Sequence, residues 1–188
     1  MLETNQFPHM KASRLIFALL LASSVAVVRL AAQQTKADQK PLEEVKAKAE
    51  AGEAESQVEL GLRHEKGQGV AKDPVEAAKW YRKAAEQNFA RAQNNLGVCY
   101  EKGEGVAKDE EQAVKWYRKA AEQNYAPAQA SLGAFFPNDD VVEAYKWLLL
   151  AANQGNEDAK QVMTELEHTL RPEQRAQGQK LARDFRPR

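Results

Sequence analysis

The sequence predicts an all-α protein, an α/α superhelical solenoid of stacked antiparallel helix pairs. Three observations carry that expectation. The 188 residues, 43% hydrophobic and only 7% aromatic, are rich in Ala, Glu, Lys and Gln and poor in the β-branched residues that strands favour. The stretch Gly61 to Arg91 recurs from Gly97 to Pro127 without a gap at a shift of 36, with 21 identities in 31 positions, so one supersecondary unit is used repeatedly. The same helix-start residues also return in register, at Asp73, Asp109 and Asp140.

In chain order, residues 1–32 read as a secretory signal peptide. Lys11 and Arg14 precede an apolar run from Leu15 to Val28, which Arg29 and the small pair Ala31 and Ala32 follow. The run is interrupted by Ser23 and Ser24 and falls short of the roughly 20 apolar residues a bilayer span needs, so no stable membrane span is expected once the signal is removed. Met10 offers an alternative start, and cleavage fits after Ala32 or nearer Ser24 and Ala26. No Cys follows the run, which argues against lipoprotein processing. Residues 33–41 are polar and read as a flexible linker. The 27 basic and 27 acidic residues cancel; losing Lys11, Arg14, Arg29 and Glu3 with the signal leaves 24 basic and 26 acidic, which excludes steering toward polyanions.

Residues 42–170 form the repeat array. Ala49 to Leu60 aligns with Ala85 to Leu96, so a degenerate half-repeat (42–55) precedes the repeats 56–91, 92–127 and 128–158. In each unit the second helix starts at a capped Asp: Asp73 with Pro74 and Glu76, Asp109 with Gln112, and Asp140 with Glu143 have capping-box spacing. Gly52, Asn88, Asn124 and Gly155 stand where a left-handed residue closes a helix. Second helices are thus predicted over Pro74–Gln87, Glu110–Gln123 and Val141–Gln154. Ala77, Trp80, Tyr81, Ala84 and Ala85, with Ala113, Trp116, Tyr117, Ala120 and Ala121, share one inward face. Ala92, Leu96 and Tyr100 line a first helix. Gly61, Gly97 and Gly133 recur beside that stripe, although mid-helix Gly costs about 1 kcal/mol against Ala, so a neighbouring helix is expected to come too close for a side chain. The third unit lacks five residues, Gly133 reaching Trp147 in 14 where Gly97 reaches Trp116 in 19, and Phe135 to Asn138 replace the usual loop, which cannot then have the standard shape. A terminal helix (159–170) through Met163, Leu166 and Leu170 leads to a C-terminal capping helix within 171–188 that turns Leu181 and Phe185 inward. Such units bury their stripes only against one another.

The patterns A-x-A-Q-x-x-L-G, G-x-G-V-x-K-D and A-x-x-W-Y-x-K-A-A resemble the Sel-one-like repeat, a member of the tetratricopeptide-like helical class. Ala90 to Ala121 carries the closest likeness, with Ala92, Gln93, Leu96, Gly97, Tyr100, Gly103, Gly105, Lys108, Asp109, Ala113, Trp116 and Tyr117 in place. The likeness extends over about Ala49 to Met163; His64 stands where a Tyr belongs. It implies a solenoid that scaffolds or adapts other proteins, often in bacterial envelopes.

Gly67, Gly69, Gly103 and Gly105 lack the strand, third Gly and Gly-Lys-Ser/Thr of a phosphate loop and read as interhelix turns. Lys79 to Lys83 and Lys115 to Lys119 pair aromatic with basic residues, but helical spacing turns Trp and Tyr inward and the cations outward, so no nucleic-acid partner is expected. His64-Glu65-Lys66-Gly67 ends in Gly where a zinc-protease motif needs its second His. Asp139 and Asp140 read as turn and cap. Cys99, the one cysteine, excludes an internal disulfide and reads as a small buried hydrophobe. Cysteine-rich members of the resembled family are linked to β-lactam binding or hydrolysis, yet Ser56 and Ser131 have no Lys three residues on, and Ser-Asp-Asn and Lys-Thr-Gly are missing. No catalytic, cofactor or metal residue is therefore expected. Val58, Leu62, Asn94, Val98, Ala130 and Ala134 differ between units at corresponding first-helix positions. By analogy with tetratricopeptide arrays they line a concave groove, with Glu101 as a polar neighbour, for a peptide or a partner's helix. The resulting expectation is an exported, non-catalytic adaptor or scaffold, periplasmic or secreted. A cell-wall or β-lactam-acting envelope enzyme and a structural homo-oligomer module are the alternatives.

Overall fold

A computed structural model of the chain describes residues 41–135 and 140–188. The signal segment, most of the linker and the core of the third unit's loop lie outside the described residues. The architecture is that of the unit Leu42–Arg188. Among the described residues it is all-helical: α1 (Leu42–Glu50), α2 (Ala54–Lys66), α3 (Pro74–Glu86), α4 (Ala90–Lys102), α5 (Glu110–Glu122), α6 (Ala126–Phe135), α7 (Val141–Asn153), α8 (Glu157–Glu167) and α9 (Pro172–Asp184). Each helix from α1 to α7 packs on the next, most extensively within α2/α3, α4/α5 and α6/α7. Apart from α9, which packs on α7, contacts that skip a helix are few, as a solenoid requires.

The second helices begin as predicted and end one residue earlier, because their boundaries are fixed by local chemistry. The Asp73 carboxylate accepts from the Val75 and Glu76 N–H groups, Asp109 from Gln112 and Asp140 from Glu143, each at 3.0 Å. The reciprocal half of the capping box takes another form. The Asp73 N–H donates to the His64 carbonyl and that of Asp109 to Tyr100, both at 2.9–3.0 Å, which ties each second helix to the first helix of its own unit. Glu76 and Glu143 are engaged one turn on by Lys79 and Lys146. At the other ends, Asn88 and Asn124 adopt φ near +65°, where an L residue is tolerated only because the short amide side chain bonds locally. Gly52 and Gly155 take the equivalent places.

The recurring glycines have a structural cause. A Cβ on Gly61 would stand 2.5 Å from the Tyr81 ring, and one on Gly97 2.6 Å from Tyr117. Each ring lies flush on the first helix, and its hydroxyl donates to a carboxylate one turn beyond the glycine, Tyr81 to Glu65 at 2.6 Å and Tyr117 to Glu101 at 2.5 Å. In the third unit Leu148 replaces the Tyr against Gly133, and the sequence has Pro137 where that Glu would stand.

A chain of glutamines crosses the seams between units. Gln57, Gln93 and Gln129 are buried and donate through Nε2 to the carbonyls of Ala49, Ala85 and Ala121 at 3.1–3.2 Å. Their Oε1 atoms accept from Gln87, Gln123 and Gln154 of the following second helix at 2.7–2.8 Å. Each buried amide thus has a partner on both sides, which removes the cost of burying it.

The tryptophans correct the single-face reading. Tyr81, Tyr117 and the alanines of the stripe are buried, whereas Trp80 and Trp116 are half-buried and reach back onto the preceding unit. Trp80 packs on Val45, Ala49 and Leu60, and Trp116 on the cluster built around Tyr81 and Leu96. Trp147 alone among them is buried, because Phe185 packs edge-on against it at 5.5 Å between centroids. Lys79, Lys83, Lys115 and Lys119 are exposed, as the outward reading expects, and Lys83 and Lys119 also lie over the Trp80 and Trp116 rings at 3.9 and 4.3 Å. Arg82 donates to the Tyr100 hydroxyl of the next unit at 2.7 Å. The terminal helix starts two residues before Ala159, at Glu157, because the Asn156 side chain caps it. The capping helix α9 packs on α7, with Gly178 against the Tyr145 ring and Phe185 turned inward, while Leu181 is half-buried.

Candidate functional site

The predicted groove residues divide by position. Val58 is fully buried in the cluster with Ala77, Ala78 and Tyr81, and its counterpart Ala130 packs against Leu148, Ala151 and Ala159. This position faces the seam between units, so Val58 is not presented to a partner. Asn94, at the same position, is also buried, 9% exposed, and its Oδ1 has no hydrogen-bond partner within the described protein. The position one turn further on is more open: Leu62 and Val98 are half-buried and Ala134 is exposed. Glu101 is half-buried and holds the Tyr117 hydroxyl, a framework contact that sequence spacing did not reveal. What remains of the groove is the row Leu62, Val98 and Ala134 on α2, α4 and α6.

Reactive groups are muted by their surroundings. Burial, followed by the charge of Glu65, pushes the Cys99 thiol up to about 12, so it is a neutral, weakly nucleophilic group at neutral pH. Burial first, and then hydrogen bonding to Glu65, Glu101 and Glu167, raises Tyr81, Tyr117 and Tyr145 above the ordinary phenol value. Gly67 and Gly103 are left-handed helix ends at φ near +70°, each donating back to its own helix. Among the described residues no three His, Cys, Asp or Glu side chains gather as metal ligands, and no helix is long and apolar enough to cross a membrane.

A second surface was missed by sequence reasoning. Glu50, Glu86 and Glu122 end successive second helices, and Trp80, Trp116 and Trp147 stand at one equivalent position in the units that follow them. At the third of these pairs the C-terminal tail is seated. Phe185 packs on Trp147, the Arg188 N–H donates to the Glu122 carbonyl at 2.9 Å, and its guanidinium lies 3.6 Å from the Glu122 carboxylate. At the second pair an open cleft of about 410 Å³ is lined by Glu86, Gln93, Trp116, Lys119 and Glu122, and by Arg188 of the same tail. The signal available in the sequence was the matched recurrence of Glu and Trp, together with a tail ending Phe-Arg-Pro-Arg.

A family model described as Sel1 repeat matches residues 54–89, 90–125 and 126–156, each span running from the start of a first helix past the end of a second. A relative from Escherichia coli O6:H1, the secretory immunoglobulin A-binding protein EsiB, is 49% identical over 43 residues, 23% of this chain and 9% of its own length. A Sel1 repeat protein from Oxalobacter formigenes is 42% identical with a TM-score of 0.56, covering 60% of this chain and 49% of that one. A protective antigen present in uropathogenic Escherichia coli strains, displaying an SLR fold, is 42% identical with a TM-score of 0.64, covering 68% of this chain and 28% of that one. The chain therefore spans less than half the length of each of these proteins.

Proposed function

The chain belongs to the Sel1 repeat family, and from that premise we propose that it is an exported bacterial protein whose helix array docks other proteins, as an adaptor or scaffold in the envelope, without a reaction centre of its own. The observation that carries this reading is how the repeat distributes its residues. Positions that recur unchanged, the Gly and Tyr of the first two units and the seam glutamines, are engaged inside the array. The position that differs from unit to unit, Leu62, Val98 and Ala134, stays partly open along successive first helices. A row of apolar side chains at the spacing of stacked helices suits a partner's helix or extended segment, with affinity from a few anchored side chains. The Escherichia coli relative, a secretory immunoglobulin A-binding protein, supports protein docking as a use of such repeats. Export rests on Lys11, Arg14 and the apolar run Leu15 to Val28.

The test is site-specific photocrosslinking in cells from positions 98 and 134, with position 83 on a second helix as control. One recurrent protein adduct from both row positions and not from the control is expected. The reading fails if neither row position yields an adduct, or if the purified protein turns over peptidoglycan or a β-lactam and one substitution abolishes that turnover. Amino-terminal sequencing of protein recovered from the periplasm or medium tests export; a chain that retains Met1 or Met10 in the cytoplasm overturns it.

A further inference from the structure

We propose that the cleft at Trp116 and Glu86 binds an extended peptide of another protein that carries an aromatic residue followed three positions later by an arginine. This goes beyond the first-helix row and uses a different face of the unit. The argument is quasi-equivalence. The array builds the same Glu and Trp pair at successive seams, and one of those pairs has an occupant in the structure. Phe185 lies edge-on to Trp147 at an interplanar angle of 74°, and Arg188 bridges to the last turn of the preceding second helix through both backbone and guanidinium contacts to Glu122. One unit earlier the same elements recur. Trp116 is half-buried and open to the cleft, Glu86 is an exposed carboxylate at the corresponding helix end, and Glu122 also borders the space. Trp116 offers an aromatic residue an edge-to-face contact, and Glu86 and Glu122 offer a basic residue two carboxylates, against which the lining cations Lys119 and Arg188 act.

The two sites differ at two lining positions, one of them Asn153 where Glu122 borders the open cleft. Leu150 follows Trp147 where Lys119 follows Trp116, and the Lys119 ammonium covers the Trp116 ring at 4.3 Å. The Trp147 ring also carries a lysine, Lys146 at 4.1 Å, with Phe185 seated beside it. An incoming aromatic therefore shares the Trp116 ring with Lys119 where the tail meets Leu150, and the open site is weaker than the one the tail fills. A second copy of this chain is a poor occupant, because its own Phe185 and Arg188 are already seated on Trp147 and Glu122.

The test uses the full chain and a fluorescein-labelled peptide with the sequence of residues 181–188, Leu-Ala-Arg-Asp-Phe-Arg-Pro-Arg, followed by anisotropy. Saturable one-to-one binding is expected. Glu86→Lys should weaken it about tenfold or more and Lys119→Leu should tighten it several-fold, and both variants alter surface positions, with far-UV circular dichroism confirming the fold. Peptides carrying Phe185→Ala or Arg188→Ala should lose about tenfold. No saturation at millimolar protein overturns the proposal, as does binding indifferent to both protein variants. Binding that Phe185→Ala in the protein enhances and Glu86→Lys leaves alone means the peptide only replaces the chain's own tail, which also overturns it. Dimerisation in sedimentation equilibrium that Glu86→Lys abolishes would make a second copy the occupant and refute the assignment to a different protein. None of these variants touches Leu62, Val98 or Ala134, so failure here is separable from failure of the first-helix row.

Discussion

Gln93→Met is the most direct probe of what holds the units together. Gln93 is 1% exposed, and Met keeps its length and most of its volume, so packing changes little while all the polar contacts go. Three bonds are lost: Nε2 to the Ala85 carbonyl at 3.2 Å, Nε2 to Asn88 Oδ1 at 3.0 Å, and Oε1 from Gln123 at 2.7 Å. At about 1 kcal/mol net each, the loss is about 3 kcal/mol. It is softened at the Gln123 end, because that amide also donates to Asn88 Oδ1 and the Lys119 carbonyl. A cost of about 2–4 kcal/mol follows for Gln93→Met, and about 1–2 for Gln123→Met, which leaves the buried Gln93 oxygen without that donor. The assay is urea unfolding followed by far-UV circular dichroism, with the double mutant completing the cycle. A coupling of about 0.5–1.5 kcal/mol between the two sites is expected. Additive costs, or a Gln93→Met cost under about 0.5 kcal/mol, would refute the glutamine chain as a source of cohesion.

Other consequences can be measured on the same protein. Trp147→Ala should cost about 3–5 kcal/mol and Trp116→Ala less, about 1–3, because only Trp147 is fully buried and covered by Phe185; equal costs would contradict the assigned seats. Gly97→Val should destabilise by about 2 kcal/mol or more, since the added carbons meet the Tyr117 ring, and an unchanged unfolding midpoint would dispose of the close approach. Cys99 should resist iodoacetamide at pH 8 in the folded chain, with a thiol pushed up to about 12 from 9.0. Because burial raises Cys99, and likewise Tyr81 and Tyr117 above 10.0, the stability they confer is complete below those ordinary values and is lost as pH rises past them. Alkaline unfolding that begins above about pH 9, and is flattened at its onset by Cys99→Ala, is the expected profile; stability constant to pH 11 would contradict it.

What could be read from the sequence was what local chemistry fixes. Asp73, Asp109 and Asp140 mark helix starts because a carboxylate can satisfy one or two free N–H groups wherever the helix sits, and Asn88 or Gly155 marks an end for a similarly local reason. The recurrence of Gly97 even foretold a close neighbour. Exposure was harder, because it depends on what the next unit brings. Spacing alone placed Trp116 and Tyr117 on one face, yet only the packed array shows Tyr117 buried within its own unit and Trp116 half-open on the preceding one. Val58 and Asn94 were misplaced for the same reason: a position on the right face of α2 or α4 is covered once the following unit stacks. The seating of Phe185 on Trp147 joins residues far apart in the chain, and no periodicity announces it.

The third unit shows how the same physics is met with other residues. In the first two units one tyrosine does two things on a single pair of helices: its ring lies on a glycine and its hydroxyl reaches a glutamate one turn on. In the third, Leu148 takes the place against Gly133, and the tyrosine stands three residues earlier, on another face of α7. There Tyr145 lies against Gly178 of α9 and donates at 2.5 Å to Glu167 of α8, so a glycine and a glutamate are again its partners, now drawn from two different helices. Moving one aromatic by three positions therefore gives α7 a second apolar face, and α9 fills it. That explains why α7 reads Val-Val-Glu-Ala-Tyr-Lys-Trp-Leu-Leu-Leu-Ala-Ala, far more apolar than α3 or α5, and why α9 packs on α7 and not as a partner to α8. The glycine at 178, costly inside a helix by about 1 kcal/mol, is the residue that this seat demands.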